Sequence, residues 1–157
     1  MGVRYFSMDF RTFFDIYMRP RTGRRLKRDG IEFCYAAASL MIACSKSDME
    51  EHPDERETVQ DILKQAFSLS EGTVLRMLEF ADNASEESYL GEITHLINQQ
   101  FTPPDKRFIL EKLWCVAYAD GRIENKEQAF IDRIASEIDM SSEDVDTARI
   151  LAQHQRT

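Results

Sequence analysis

Two segments of this chain match one another when the sequence is laid over itself at one constant offset, and this match constrains the fold more than any other feature. Apolar positions fall on apolar positions and acidic positions on acidic positions. The aligned pairs are Met41 with Leu113, Ile42 with Trp114, Cys44 with Val116, Asp48 with Asp120, Glu55 with Glu127, Val59 with Ile131, Ile62 with Ile134 and Ala66 with Ile138. After a slip of one residue, LSEGTV at 69–74 aligns with MSSEDV at 140–145. We therefore predict an internal duplication.

Apolar residues recur at helical spacing along almost the whole chain, and no useful length of sequence alternates as a strand would. The clearest helical face is formed by Val59, Ile62, Leu63, Ala66 and Phe67. Ser70 and Ser141 are predicted N-caps. The predicted helices lie near 8–18, 31–47, 53–67, 70–82, 86–101, 104–119, 125–138 and 141–153. The sequence thus predicts an all-α fold, a helical bundle of about seven to eight helices built from a pseudo-twofold internal repeat.

Length and cysteine content favour one domain in a reducing compartment. A chain of 157 residues is long enough to bury roughly two-thirds of its unfolded surface. Cys34, Cys44 and Cys115 lie in apolar runs, so we expect all three to be buried. Their number and spacing suit neither a disulfide framework nor a zinc knuckle. The longest charge-free run, residues 33–45, is too short to span a bilayer. We expect a cytoplasmic protein, with peripheral attachment to the inner membrane as the alternative.

Charge divides the chain into a basic N-terminal arm, residues 1–30, and an acidic domain, residues 31–157. The arm has eight basic and three acidic residues, a net charge of +5, whereas the remainder has a net charge of −13. An acidic body repels phosphate at range, so no nucleic acid partner is expected.

The arm combines an aromatic stripe with a basic tract, which allows two interpretations. Its aromatic residues recur on one helical face, and six basic residues follow, namely Arg19, Arg21, Arg24, Arg25, Lys27 and Arg28. Such a segment suits an anionic membrane surface or an acidic protein partner. In the other interpretation, the stripe packs on the bundle and the tract lies against its acidic surface.

Two acidic turns carry a family resemblance. CSKSDMEEHPDERETVQDIL at 44–63 and AYADGRIENKEQAFIDRI at 117–134, each followed by a helix that starts at LSEG or MSSED, resemble the tellurite-resistance TerB-like family. Met49 and Glu51 depart from the family pattern in the first turn. The resemblance implies an all-helical, non-enzymatic module that binds or scaffolds protein partners in bacterial stress or tellurite resistance. It also implies a divalent cation, calcium or similar, with four candidate ligands: Asp48, Glu55, Asp120 and Glu127.

Residue chemistry leaves the role of those carboxylates open. An EF-hand is excluded, because its first two ligand positions would fall on Val116 and Tyr118. Four carboxylates from two half-loops would nevertheless suit a hard cation. Alternatively, Glu55 and Glu127 stabilise only the first turns of their helices, as acidic residues at helix N-termini do. The protein would then be a purely structural interaction module, recruited to a membrane or a partner by its basic arm.

Nothing in the sequence indicates catalysis. Glu92 and His95 form an ExxH pair of the kind that di-iron bundles use, but a second ExxH is absent from the sequence. A solvated helix face is therefore the preferred interpretation of this pair. The sequence also has no phosphate-binding glycine loop and no nucleophile motif.

Overall fold

The computed structural model describes residues 31–47, 53–84, 87–119 and 125–155. These residues form seven helices and no strand: α1 (Ile31–Ser45), α2 (Pro53–Gln65), α3 (Glu71–Ala84), α4 (Glu87–Gln100), α5 (Pro103–Ala117), α6 (Asn125–Glu137) and α7 (Ser142–Gln155). The all-α prediction is confirmed, and the seven helices agree with their predicted ranges to within a few residues. The predicted helix at 8–18 and the rest of the arm lie outside the described residues.

Helix α1 lies at the centre of the bundle because its sequence has no polar face to turn outward. From Phe33 to Ser45 it carries no charge, and almost every side chain in that run is buried. A helix that is apolar all round must be covered on all sides. It packs most extensively against α3 and α5, and also contacts α2, α4 and α6. Among the described residues no helix is both long and apolar enough to cross a membrane.

Helix α5 has the equivalent position in the second half of the chain. Leu113, Trp114 and Val116 are buried at the positions that align with Met41, Ile42 and Cys44. It packs most extensively against α7, as α1 does against α3, and it contacts α2 as α1 contacts α6. The starts of α5, α6 and α7 fall within one residue of the positions that the alignment of the two segments assigns to the starts of α1, α2 and α3. These bounds agree with the predicted spacing, although the duplication itself stays a prediction.

The helix ends follow the local chemistry of the sequence. Proline begins α2 and α5, where a missing N–H group costs little. The predicted caps are confirmed, because Ser70 Oγ accepts from Thr73 N at 3.3 Å and Ser141 Oγ accepts from Asp144 N at 3.1 Å. Ser141 forms a reciprocal capping box, since its own N–H donates to the Asp144 carboxylate.

Two predictions about burial are wrong. Helical phase predicts Ala66 on the apolar face of α2, but this residue is exposed because the helix ends at Gln65 and the chain turns. The apolar run around Cys115 predicts burial like that of Cys34 and Cys44, yet Cys115 is half-buried. Its Sγ lies 3.4 Å from Gln155 Oε1 at the bundle surface. The other two cysteines are buried as predicted.

Truncation of the central helix tests this architecture. Leu40 lies in α1 with no exposed surface, so Leu40→Ala is expected to lower the free energy of unfolding by about 2–5 kcal/mol. Leu75 on α3 is 56% exposed, so Leu75→Ala is expected to change it by less than about 0.5 kcal/mol. Urea denaturation of both variants measures the difference. Equal losses would contradict the central position of α1.

Candidate functional site

The acidic turns connect α1 to α2 and α5 to α6, and the helices that flank them meet in the bundle. Phe33 lies near Phe108, with ring centroids 6.2 Å apart, and Cys44 Sγ lies 4.0 Å from the Leu113 carbonyl oxygen. Helices α1 and α5 therefore run in the same general direction. Ser47, two residues after the end of α1, and Lys126, the second residue of α6, line the same groove. The chain just after α1 thus lies close to the start of α6.

Two of the four predicted ligands, Glu55 and Glu127, are completely buried. Each is the third residue of its helix, α2 or α6, and each has 0% exposed surface. Glutamate is rarely buried so completely without compensation of its charge. The first-turn position supplies part of that compensation, because the N-terminal end of a helix carries partial positive charge. Both carboxylates face the protein interior and not the solvent.

The other two predicted ligands, Asp48 and Asp120, lie outside the described residues. Within the ranges that the structure describes, no three His, Cys, Asp or Glu side chains are grouped so that they could hold a metal ion. Glu55 and Glu127 are too few to form a complete ligand set, so the further ligands would have to come from residues of the acidic turns. The chemistry of the pair suits a hard cation, because both offer only carboxylate oxygens.

An ion-pair network holds both flanks of the first acidic turn. Arg56 donates to both carboxylate oxygens of Asp82, at 3.1 and 2.9 Å, and Lys46 Nζ lies 3.1 Å from Asp82 Oδ1. Lys46 immediately follows α1, Arg56 lies in α2 and Asp82 lies near the end of α3. One carboxylate therefore connects the chain just before the turn with the chain just after it.

The charges in this network shift the titration of Asp82. Burial by itself raises the pKa of Asp82, but the hydrogen bonds and positive charges of Arg56 and Lys46 outweigh it. The pKa therefore lies below its ordinary value of 3.8.

A neutral contact lies at the corresponding place in the second half. Gln153 Nε2 donates to the Tyr118 hydroxyl at 2.7 Å. In the alignment of the two segments Tyr118 corresponds to Lys46, and Gln153 corresponds to Asp82 once the slip in the alignment is included. Neither contact could be predicted from the sequence, because each joins residues that are distant along the chain and the two contacts have no residue type in common.

The ExxH pair on α4 is split between two environments. His95 is exposed, as the preferred interpretation of a solvated face requires, but Glu92 is only partly exposed and its Oε2 atom is buried. The solvated-face prediction is therefore wrong for Glu92. A glutamate on the inner edge of an amphipathic helix is partly covered by its neighbours, which a spacing rule alone does not show.

The described residues define an all-helical bundle in which α2 and α6 each bury the glutamate at their third position. The model of the tellurite resistance protein TerB family matches residues 35–150. The chain therefore belongs to the TerB family, and the predicted resemblance is confirmed. No curated protein and no solved structure matches the chain.

The Asp82 network predicts a dependence of stability on pH. Because its pKa is lowered in the folded state, Asp82 stabilises the protein above its ordinary pKa of 3.8, and this contribution is lost as the pH falls through the lower folded-state value. Asp82→Asn should lower the melting temperature at pH 7, and the deficit should disappear in strong acid. The effect should be modest, because the Asp82 side chain is 37% exposed and solvent screens it.

Asp132, an exposed residue on α6, provides the matched control. Asp132→Asn should have little effect on the melting temperature at either pH. A deficit for Asp82→Asn that persists unchanged in acid would contradict the assignment.

Proposed function

We propose that this TerB family member is a non-enzymatic binding or scaffolding module that holds a divalent cation with its two acidic turns. Asp48, Glu55, Asp120 and Glu127 would be the ligands, and calcium or a similar hard cation would be bound. The observation that supports the proposal best is the complete burial of Glu55 and Glu127 at equivalent positions. Bacterial stress or tellurite resistance is the proposed context, on the basis of family membership.

Burial makes cation binding a direct explanation for these glutamates. A first-turn glutamate that serves only the helix dipole can do so from the solvent-exposed side, as Glu143 does in α7. Glu55 and Glu127 instead place their carboxylates inside, where an ionised group is disfavoured unless positive charge accompanies it. A cation shared between the two turns would contribute such charge.

A scaffolding role is proposed because the sequence shows no motif that is typical of an enzyme. Its residues supply no nucleophile motif and no phosphate-binding loop. In this proposal the cation fixes the two turns relative to one another, and partners bind the surface that the turns shape. The metal would thus stabilise the protein and would not activate a substrate.

Thermal unfolding of the chelator-treated protein tests the proposal. A bound cation at about a hundred times its dissociation constant should stabilise the fold by roughly 2.7 kcal/mol. We expect calcium, magnesium, manganese and zinc, added in turn, to give a selective rise in melting temperature. Glu127→Gln and Asp120→Asn should each remove most of that rise, because each removes a charged ligand while keeping its size.

Glu143→Gln provides the control, since it changes an exposed first-turn glutamate that is not a proposed ligand. It should leave the metal-induced rise intact. A rise that is the same in all variants, or no rise with any of the four ions, would contradict cation binding. The capping interpretation would then remain, and the protein would be a purely structural interaction module.

The arm provides the second candidate activity, which is recruitment to an anionic membrane or a protein partner. Its six clustered basic residues support this proposal. Deletion of residues 1–28 should abolish sedimentation with phosphatidylserine vesicles and leave cooperative unfolding intact. Aggregation of the truncated protein, or loss of its cooperative unfolding, would show instead that the arm completes the core.

A further inference from the structure

A basic groove lies between the end of α1, the start of α4 and α6. Its volume is about 460 Å³, and none of the residues that line it is acidic. Three of them are basic, namely Lys46, Lys126 and Arg133. The small side chains of Ala43 and Ala129 leave room between them. Such a lining is unusual here, because residues 31–157 carry a net charge of −13.

Among the described residues, Asp82 and Glu137 pair with cations that line the groove, and two carboxylates do not cancel the charge of three basic residues. Asp82 accepts two hydrogen bonds from Arg56, so Lys46 is the second cation on a single carboxylate. Arg133 pairs with Glu137 at 2.8 Å, four residues along α6, but both side chains are at least one-third exposed. Exposed pairs of this kind are weak and can be exchanged for another carboxylate. Lys126 is an exposed residue at the start of α6.

A second groove provides an internal comparison. It lies between α2, α5 and α7, has a volume of about 340 Å³, and is lined in part by Asp61 and Lys112. Asp61 aligns with Arg133 when the two segments are superimposed in sequence, so the position that is basic in one groove is acidic in the other. In the predicted duplication α1 corresponds to α5 and α6 corresponds to α2. The groove beside α1 and α6 therefore corresponds to the groove beside α5 and α2. All charged residues that line the α1–α4–α6 groove are basic, whereas the second groove has both an acidic and a basic residue.

We propose that the basic groove, formed between α1, α4 and α6, docks an acidic segment of a protein partner. Charge complementarity identifies the occupant, because carboxylates of such a segment would meet Lys46, Lys126 and Arg133 together. The N-terminal arm is a poor occupant, since its net charge of +5 has the same sign as the groove. The inference goes beyond the proposed cation site and does not depend on it.

Fluorescence anisotropy with a defined peptide tests this proposal. The probe is a fluorescein-labelled amphipathic peptide with a leucine face flanked by glutamates, and its control has lysines in place of the glutamates. Titrations of the full chain in EDTA keep the result independent of the proposed cation site. The acidic peptide should bind, and Lys126→Glu and Arg133→Glu should each weaken binding about tenfold or more, because like charges would then face one another.

Lys112→Glu in the second groove is the matched control, since it makes the same charge change outside the basic groove. It should leave the affinity for the acidic peptide unchanged. Circular dichroism should show the same helical content in all variants. Absence of binding, preference for the lysine peptide, or equal weakening by Lys112→Glu would each overturn the proposal.

Two further outcomes would overturn the proposed occupant. Vesicles of phosphatidylserine that bind in a manner sensitive to Arg133→Glu, without binding of the peptide, would identify the ligand as a lipid surface. Self-association of the wild-type chain that Arg133→Glu abolishes, measured by sedimentation velocity, would identify it as a second copy of this chain.

Discussion

The burial of α1 on all sides is the constraint on which the rest of the structure depends. Its charge-free run from Phe33 to Ser45 has no face that can be exposed to water without loss of apolar burial. Five other helices contact it. Once α1 occupies the centre, α5 must pack beside it to complete the core, and the remaining helices are positioned by these two. The ends of α1 and α5 and the starts of α2 and α6 are therefore placed by core packing.

This placement explains how two glutamates come to be buried in a highly charged chain. Helices α2 and α6 contact α5 and α1 respectively. One side of the N-terminal helical turn of α2 and of α6 therefore faces the central pair, α1 and α5. Glu55 and Glu127 occupy that side. The apolar core thus imposes a low-polarity environment on two ionisable groups, and the free energy of burying them must be offset by protonation, by hydrogen bonds or by positive charge.

Much of this fold could be predicted from the sequence, because helices are specified by short-range periodicity and by local end signals. Proline at 53 and 103 and serine at 70 and 141 mark the helix starts to within a few residues. The errors arise where tertiary contacts decide the outcome. Ala66 has the correct helical phase but lies beyond the end of its helix, and Cys115 lies in an apolar run that reaches the bundle surface. The candidate site was less predictable for a related reason, since the burial of Glu55 and Glu127 depends on how α1 and α5 pack, and the bridge to Asp82 leaves no periodic signal in the sequence.

Several aligned core positions of the two segments are alike, whereas their surface contacts differ, and this contrast bears on the two proposed kinds of binding. Corresponding core positions such as Met41 and Leu113 are both buried and apolar, whereas the Lys46–Asp82 ion pair corresponds to the neutral Tyr118–Gln153 contact. The proposed cation would be spherical and would have no orientation to specify, so the like positions of Glu55 and Glu127 in their helices would suit it. A protein segment has a direction and must distinguish one groove from the other. The opposite charges of Asp61 and Arg133 would provide that distinction, so the surface asymmetry would select where, and in which orientation, a partner binds.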